Sequence, residues 1–392
     1  MSERSPGTHP LPPAGQAARS AELTTAADSF ALPGPPRPAP ACNPSEGELR
    51  ELLAAQAAVV TADPLVPAVV ISAIRPGAAA VYCTGVLTLG GSTTPDPATR
   101  FQVGSLTKAF TTLLFAELVA RGEVAEADPI ETYLPVGAAP RRRSEPPITL
   151  FDLATHTSGL PRLPRGLYRS AAARIVSDPY ARYGEAELYR ATARLRPRRS
   201  PPAVRYSTFG MGLLGLLLAR AAQAEYGELL AERVLRPLGL TGTGTGDFDA
   251  TMANRASGHR RGRTVPDWHF QALAPAGALH SCGADLLTFL RAQLHPGQTP
   301  LAEALRATQR PRHSLPDGAG PVCLGWNHRI TRRGRTVLSH AGATGGFTGY
   351  LAVSPDAGAG VAVLANATPT RAHPVVGAGR RILHDLLRPP AA

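Results

Sequence analysis

The spacing of hydrophobic positions changes along the chain from an alternating pattern to a helical one and back. Near the start, two β-branched stretches, VPAVVISAIRP and AAAVYCTGVLTL, are separated by Pro76 and Gly77, a pattern typical of a β-hairpin. Three further stretches of this kind lie near the other end: RTVLSHAG, FTGYLAVSPD and AGVAVLANA. A second turn is predicted between the last two, from Pro355 to Gly360. Both ends of the chain therefore carry predicted strands.

The middle of the chain is rich in segments whose apolar residues recur with the helical period, which predicts helices. They are AFTTLLFAELVARG, FGMGLLGLLLARAAQA, GELLAERVLRPLG and SCGADLLTFLRAQL. Strands from both ends around a helical middle predict an α+β fold. We expect one antiparallel β-sheet built from both chain ends, with flanking helices and an inserted, mostly α-helical lobe. The α/β part is predicted at about 45–105 and 270–392, and the helical lobe at about 106–269.

Residues 1–44 differ from the rest in composition. They contain 10 of the 39 prolines and show neither a helical nor a strand period. Such a segment cannot bury enough apolar surface to order itself, so we predict a disordered leader. Order is expected from Ser45, because Ser45 and Glu48 have the spacing of a capping box at the start of a helix. Residues 45–392 are then one domain.

Composition excludes several classes of protein. The 392 residues are 43% hydrophobic and 18% charged, and no apolar run approaches the about 18 to 20 residues that cross a bilayer, so we expect a globular protein without a membrane partner. The first twenty residues lack a secretory signal pattern, which predicts a cytoplasmic address. The four cysteines show no metal-ligand spacing, so free thiols and no metal site are expected.

The basic residues of the chain are almost all arginines. Of 41 lysines and arginines, only Lys108 is a lysine, and the formal net charge is +12. Such usage is typical of the mutational bias of a GC-rich genome. A single lysine is nevertheless hard to explain as a surface residue, which favours a chemical role for Lys108.

Ser105 and Lys108 lie three residues apart at the start of a predicted helix, in TRFQVGSLTKAFTTLLFAELVARG. That spacing places both side chains on one face of the helix. A serine hydroxyl needs a base to become a nucleophile, and a desolvated lysine can remain neutral enough to serve. The backbone N–H of Ser105 lies at the positive end of the helix, where it can stabilise an oxyanion.

Three downstream segments follow in a fixed order: LATHTSGLP, VRYSTFGMGLLG and LSHAGATGGF. Together with Ser105-x-x-Lys108, they resemble the serine β-lactamase and penicillin-recognising superfamily, specifically its class C-like branch of esterases, D-aminopeptidases and acyltransferases. The resemblance covers about residues 45–388. It implies a β-lactamase-like fold and an enzyme that forms an acyl-enzyme on serine. No cofactor is implied.

The resemblance assigns roles to individual residues. Ser105 resembles the nucleophile, Lys108 its activating partner, and Tyr206 the tyrosine that moves protons to the leaving group. His340 and Gly342 belong to the strand that walls the site, and the N–H of Ala343 would be the second oxyanion donor beside that of Ser105. Two further histidines, His156 and His280, lie in motifs whose family counterparts are mainly structural.

Two substitutions depart from the β-lactamase pattern. Thr208 stands where the Tyr-x-Asn motif has an asparagine. A hydroxyl and a methyl replace the carboxamide, which argues against recognition of the amide side chain of a penicillin. His340 replaces a lysine that many β-lactamases place opposite a substrate carboxylate, and imidazole is mostly neutral at pH 7. The Glu-x-x-Leu-Asn segment of class A enzymes is not found. A penicillin-hydrolysing role is therefore not the first choice.

The remaining functions share an acyl-enzyme and differ in the group that accepts the acyl chain. We favour a transacylase in specialised metabolism, such as antibiotic biosynthesis, which uses an ester or thioester donor and an amine or alcohol acceptor. An intracellular esterase or amidase, and a β-lactamase-type hydrolase, stay open as alternatives. A catalytically silent protein that keeps the fold for binding is the alternative from another class.

Residues 160–205 hold eleven arginines and three acidic residues, which is a net charge of +8. This segment predicts a basic surface for an acidic substrate or carrier protein, or merely a solvated arginine-rich face. Tyrosines interleave with the arginines, so a nucleic-acid surface is an alternative that we do not favour, since no recognised binding module is present.

Overall fold

The computed structural model describes residues 44–141, 146–167, 178–195, 204–246, 252, 254–314, 321–370 and 374–388. All of them belong to one unit, Cys42–Ala392. Residues 1–43 of the predicted leader lie outside the described residues. The predicted division into an α/β part and a helical lobe stays a prediction.

The predicted hairpin joins the two ends of the chain. Strand β1, Ala68–Arg75, pairs with strand β2, Ala78–Gly85, across the predicted turn. On its other side β1 pairs with strand β12, Ala359–Ala365, with Val69 opposite Ala365. Sequence from both ends therefore forms one antiparallel sheet, as predicted.

The sheet has eight strands within the described residues, in the order β2-β1-β12-β11-β10-β9-β8-β7. Every neighbouring pair is antiparallel. The remaining strands of this sheet are β7 His313–Ser314, β8 Pro321–Cys323, β9 Trp326–Ile330, β10 Thr336–Ala343 and β11 Thr348–Ser354. With the helices described below, the architecture is α+β with one large antiparallel sheet, which confirms the predicted fold class.

Both faces of the sheet are covered, which explains why its central strands are apolar throughout. Helix α1, Pro44–Thr61, and helix α10, Pro374–Leu386, pack on one face against alternate β1 residues that include Ile71. The opposite face packs on helix α8, Gly283–Leu294, where the Ser72 hydroxyl donates to the Gly283 carbonyl at 2.6 Å. The sheet is therefore the middle layer of three.

The other helices within the described residues are α2 Thr107–Ala120, α3 Leu150–Ala154, α4 Glu185–Ala193, α5 Thr208–Ala221, α6 Tyr226–Leu230, α7 Ala274–Gly277 and α9 Ala302–Gln309. Two short antiparallel pairs complete the described strands: β3 Arg100–Gln102 with β6 His280–Cys282, and β4 His259–Arg260 with β5 Arg263–Thr264. Helices α2 and α5 are buried over most of their length and form the centre of the larger core.

Two local predictions were wrong. Helix α1 begins at Pro44, so Ser45 lies inside the helix and does not cap it; its hydroxyl donates to the Gly77 carbonyl, and Glu48 pairs with Arg75. The segment predicted as one helix from Gly227 changes after Leu230 into a π-helical turn, Ala231–Leu235. A hydrophobic period near 3.6 does not distinguish a regular helix from one with such a turn.

None of the helices in the described ranges is both long enough and apolar enough to cross a membrane.

We expect Phe289→Ala to lower the free energy of unfolding by about 3 to 5 kcal/mol, because it opens a cavity in the larger core. Phe289 is fully buried in α8 and stacks on Phe110 of α2, with ring centroids 4.3 Å apart. Urea denaturation followed by circular dichroism measures the loss. Ala284→Ser, at an exposed position of the same helix, is the control. A loss below 1 kcal/mol for Phe289→Ala would contradict this packing.

Candidate active site

Ser105 lies on a tight turn between a strand and a helix. The turn is a 3₁₀ segment, Gly104–Leu106, between β3 and α2. Thr107 holds it in place, because its hydroxyl donates to the Gly104 carbonyl at 2.7 Å and accepts the Leu279 N–H at 3.1 Å. Ser105 is partly accessible, whereas its neighbours Gly104 and Leu106 are buried. The turn therefore presents the serine at the surface of a rigid core.

Strand β10 lies directly against this turn, and two glycines make the approach close. A Cβ on Gly342 would overlap the Val103 carbonyl and would lie 3.0 Å from the Ser105 nitrogen. A Cβ on Gly104, whose φ is +52°, would lie 2.8 Å from the Ala343 nitrogen. Only glycine allows this distance. The backbone nitrogens of Ser105 and Ala343, which the resemblance pairs as oxyanion donors, thus come from two segments packed without an intervening side chain.

Lys108 is in hydrogen-bond contact with Ser105. The Lys108 Nζ lies 2.9 Å from the Ser105 Oγ and donates to the Ala276 carbonyl of α7 at 2.7 Å. Both side chains point the same way because three residues separate them where the 3₁₀ turn enters α2. The lysine side chain is completely buried. The two side chains thus lie on one face and in contact, as their spacing indicates.

The environment of Lys108 favours its neutral form. Burial lowers the pKa of the amine below the usual 10.5 and is the largest effect. The Tyr206 phenol opposes it by charge and hydrogen bonding, and the Arg162 guanidinium lowers the pKa further. A neutral amine has a lone pair for the serine proton while an N–H still donates to the Ala276 carbonyl.

Tyr206 lies over the same pair. The Lys108 Nζ is 5.0 Å from the centroid of its ring, and the ring is about a third exposed. The imidazoles of His156 and His340 lie beside it, with ring centroids 4.9 and 6.2 Å from that of Tyr206. The structure therefore brings together Ser105, Lys108, Tyr206 and His340, from three separate segments of the chain.

His156 supports Tyr206 from a strained position. Its backbone has a φ of +60°, and its Nδ1 accepts the Ser207 N–H at 3.3 Å while its carbonyl accepts the Arg205 N–H at 2.8 Å. Burial, with help from Lys108 and His340, lowers the pKa of His156 to about 3. The neutral ring holds Ser207 and the backbone carbonyl holds Arg205, so His156 acts on the position of the phenol between them.

His340 is a neutral wall of the site. Burial, with a smaller contribution from Lys108, lowers the pKa of its imidazole to about 4. Its Nδ1 lies 2.9 Å from the Ala341 carbonyl, and a carbonyl only accepts, so Nδ1 carries the proton and Nε2 keeps a lone pair. His340 therefore provides no positive charge for a substrate carboxylate at neutral pH.

Thr208 is placed differently from the residues above. It begins helix α5, is buried, and donates its N–H to the Arg162 carbonyl at 2.9 Å. No contact in the described part of the chain joins its hydroxyl to Ser105 or Lys108. The Arg162 guanidinium instead lies 5.7 Å from the centroid of the Tyr206 ring. Arg162 was not predicted as a site residue.

A tryptophan and a glutamine connect the serine turn to the loop after β10. Gln102 of β3 donates to the Trp268 carbonyl at 3.0 Å and accepts its N–H at 3.3 Å. A Cβ on Gly345 would lie 2.5 Å from the Trp268 Nε1, so the loop rests directly on the indole. Sequence reasoning missed both side chains, since neither belongs to a recognised motif.

His280 and the interleaved tyrosines have places in the fold. His280 lies in β6 opposite Gln102, and burial lowers its pKa to about 4. Tyr183 is buried and Tyr180 stacks on Phe270, with centroids 4.8 Å apart. Of the segment 160–205, residues 168–177 and 196–203 lie outside the described residues. No group of three or more His, Cys, Asp or Glu side chains within the described ranges is arranged to hold a metal ion.

Comparison with known proteins gives a family match over most of the chain. The family model described as Beta-lactamase matches residues 53–385. This range includes all of the residues gathered around Ser105.

Individual relatives cover most of this chain and of their own length. The chain is 29% identical over 292 residues to the D-alanyl-D-alanine-carboxypeptidase/endopeptidase AmpH of Escherichia coli K12, covering 71% of this chain and 74% of the relative. It is 25% identical to a beta-lactamase of the same strain, covering 77% and 84%. It is 27% identical to penicillin-binding protein 4 of Amycolatopsis lactamdurans, covering 72% and 76%.

We expect Lys108→Arg to lower kcat/KM for a p-nitrophenyl ester by about 100-fold or more, because a guanidinium stays protonated and cannot accept the serine proton. In the unchanged protein kcat/KM should fall as pH falls through the lowered pKa of Lys108, since only the neutral amine is a base. The midpoint should lie below 10.5. Near-complete activity of the variant, with an unchanged pH profile, would make Lys108 a structural cation.

We expect Gly342→Ala to lower the same kcat/KM by about 100-fold or more, because the added methyl pushes β10 away from the serine turn and separates the backbone nitrogens of Ser105 and Ala343. Gly47→Ala is the control, because a Cβ there meets nothing within 4 Å. Ester turnover and the melting temperature are measured together. A Gly342→Ala variant with the activity of the unchanged protein would show that the close approach is not needed.

Proposed function

The chain belongs to the Beta-lactamase family and is a serine-dependent enzyme of that family, and from this premise we propose that it transfers acyl groups through an acyl-enzyme on Ser105. The observation that carries the proposal is the contact of 2.9 Å between the Ser105 hydroxyl and a completely buried Lys108 amine. A surface lysine would remain an ammonium ion, whereas this one is held toward the neutral form.

The acylation step uses the neutral amine as base. The Ser105 Oγ attacks the carbonyl carbon of the donor as its proton passes to the Lys108 Nζ, and the carbonyl oxygen becomes an oxyanion between the N–H groups of Ser105 and Ala343. The carbon–oxygen or carbon–sulfur bond to the leaving group then breaks. The leaving group takes a proton from the Tyr206 phenol. The ammonium of Lys108 then returns a proton to Tyr206. The products are an ester on Ser105, the free leaving group and a neutral lysine.

In the second step the same groups act in reverse on an incoming nucleophile. We propose that this nucleophile is an amine or alcohol, which makes the enzyme a transacylase. Two features weigh against a penicillin as the acyl donor, and so against the β-lactamase alternative. Thr208 provides no carboxamide for the amide side chain of a penicillin, and His340 is neutral, so the site lacks the fixed charge that a lysine there would give.

A second candidate is a hydrolase, in which water accepts the acyl group. The observation that favours it is the nature of the relatives, because AmpH is named a carboxypeptidase and endopeptidase and another relative a beta-lactamase. An intracellular esterase or amidase would use the same first step. The two candidates therefore differ only in whether the acyl-enzyme reacts with water or with an amine or alcohol.

The proposal extends to a cytoplasmic enzyme of specialised metabolism. Its support is the state of the cysteines: within the described residues Cys83, Cys282 and Cys323 are free thiols, in keeping with a reducing compartment. Antibody detection in cytoplasmic and extracellular fractions of the producing organism tests the address.

We expect amines or alcohols at millimolar concentration to divert the acyl group of an activated ester or thioester from water into a new amide or ester. A bound acceptor is held near the acyl carbon and reacts at a high effective molarity. The measurement is the ratio of transfer product to free acid, by mass spectrometry, as the acceptor concentration rises. Intact-mass detection of the acyl-enzyme, with Ser105→Ala as the control, verifies the first step.

The outcome separates the candidates. A ratio that rises and then saturates with acceptor supports the transacylase. If only free acid forms across a broad panel of acceptors, the transacylase is replaced by an esterase. If a cephalosporin is turned over rapidly, the transacylase is replaced by a β-lactamase. Failure to label Ser105 with any ester, thioester or fluorophosphonate would overturn the acyl-enzyme itself.

A further inference from the structure

A small cavity lies beside the segment that leads into Tyr206, between the loop at Pro161 and the end of α4. Its volume is about 210 Å³, and three arginines line it: Arg165, Arg194 and Arg205. We call it the arginine pocket. The remaining lining is apolar or glycine and includes Leu160, Leu195 and Phe209. Three arginines in one cavity whose other described lining residues are apolar or glycine are an arrangement that a solvated arginine-rich face does not require.

The arginine pocket has no negative charge of its own in the part of the chain described. None of its described lining residues is acidic, and no described carboxylate forms an ion pair with Arg165, Arg194 or Arg205. Arg190 differs from them, although it lies one turn before Arg194 on α4, because it pairs with Glu187. Three like charges near one cavity repel one another, so an anion that binds there gains from all three.

Short connections join the arginine pocket to the reacting groups. Arg205 directly precedes Tyr206, and its N–H donates to the carbonyl of His156, whose ring lies against Tyr206. On the other wall, the Pro161 carbonyl accepts the Ser207 hydroxyl at 2.7 Å. The segment that carries Tyr206 is therefore bonded to the loop at Pro161, and both line the arginine pocket.

The size of the cavity limits what it takes. Sites for whole drug-sized ligands measure about 300 to 1,000 Å³, so about 210 Å³ accommodates one end of a molecule. Guanidinium groups bind carboxylate and phosphate oxygens through paired N–H donors. The apolar residues among the described lining suit a short hydrocarbon stem next to such a group.

We propose that the arginine pocket binds a carboxylate or phosphate on a short apolar stem, and that this group is the anionic end of the acyl donor. The inference rests on the proposed function and names a substrate class for it. It gives the site the anion-binding group that His340 does not provide, at a distance from the serine instead of directly opposite it. The enzyme then selects anionic donors over neutral ones.

The first experiment measures binding without any acyl transfer. Phenyl phosphate, phenylacetate and neutral benzyl alcohol are titrated calorimetrically into the Ser105→Ala variant, which cannot form the acyl-enzyme. We expect both anions to bind at least about tenfold more tightly than benzyl alcohol, with an affinity that falls as salt rises. The stronger of the two anions identifies phosphate or carboxylate as the natural group.

Variants locate the binding. In the Ser105→Ala background, Arg165→Gln with Arg194→Gln should weaken the favoured anion at least about tenfold and leave benzyl alcohol unchanged. Arg190→Gln is the matched control, because it removes a neighbouring arginine that already has an acidic partner, Glu187. In the active enzyme, the double substitution should raise KM for a donor ester with a terminal carboxylate and leave its kcat unchanged. KM for the uncharged isostere of that ester should also stay unchanged. Melting temperatures verify that the variants fold.

Failure of this inference differs from failure of the proposed function. Equal affinity for anions and benzyl alcohol, while neutral esters still label Ser105, would overturn the arginine pocket alone. Arginine-dependent anion binding without any labelling of Ser105 would support the pocket as an anion site and overturn its link to an acyl donor. Tighter binding of a single-stranded oligonucleotide than of phenyl phosphate, lost in the same double variant, would overturn the proposal in favour of a nucleic-acid surface.

Discussion

An amine buried without a carboxylate partner is the constraint on which the rest of the site depends. Lys108 is fully buried, and none of the ion pairs in the described residues includes it. Burial of an isolated charge costs far more than burial of a neutral polar group, so a closed shell favours the neutral amine. The Ala276 carbonyl and the Ser105 hydroxyl satisfy it. Any change that admits water to this shell also changes the base.

The same closed packing positions the backbone donors. Strand β10 is paired on both sides, to β9 and to β11, so the large sheet determines where Gly342 and Ala343 lie. The serine turn is held independently, by Thr107 and its contact with Leu279. Two rigid parts thus meet at Gly342, where no side chain separates them. The geometry around an oxyanion is therefore a property of the sheet as much as of the serine.

Around this site the buried histidines are neutral, and the permanently charged groups are arginines nearer the surface. His156 and His340 are buried and neutral, because burial lowers the pKa of each far below 6.5. Permanent positive charge begins at Arg162, beside the Tyr206 ring, and continues at the arginine pocket. A neutral interior leaves the amine of Lys108 available as a base. The positive charge of Arg162 favours the same neutral form of the amine, because it lowers the pKa of Lys108.

The sequence alone determined the α+β class, the hairpins at both ends and the pair Ser105 and Lys108, because alternating patterns and a three-residue helical spacing are local properties. It did not predict the Ala276 carbonyl as a partner of Lys108, since every residue has a carbonyl and its direction depends on the fold. Arg162 was similarly one arginine among forty. Only the tertiary structure decided which of them lies beside Tyr206, because that contact joins segments far apart in the chain through packing that no local pattern encodes.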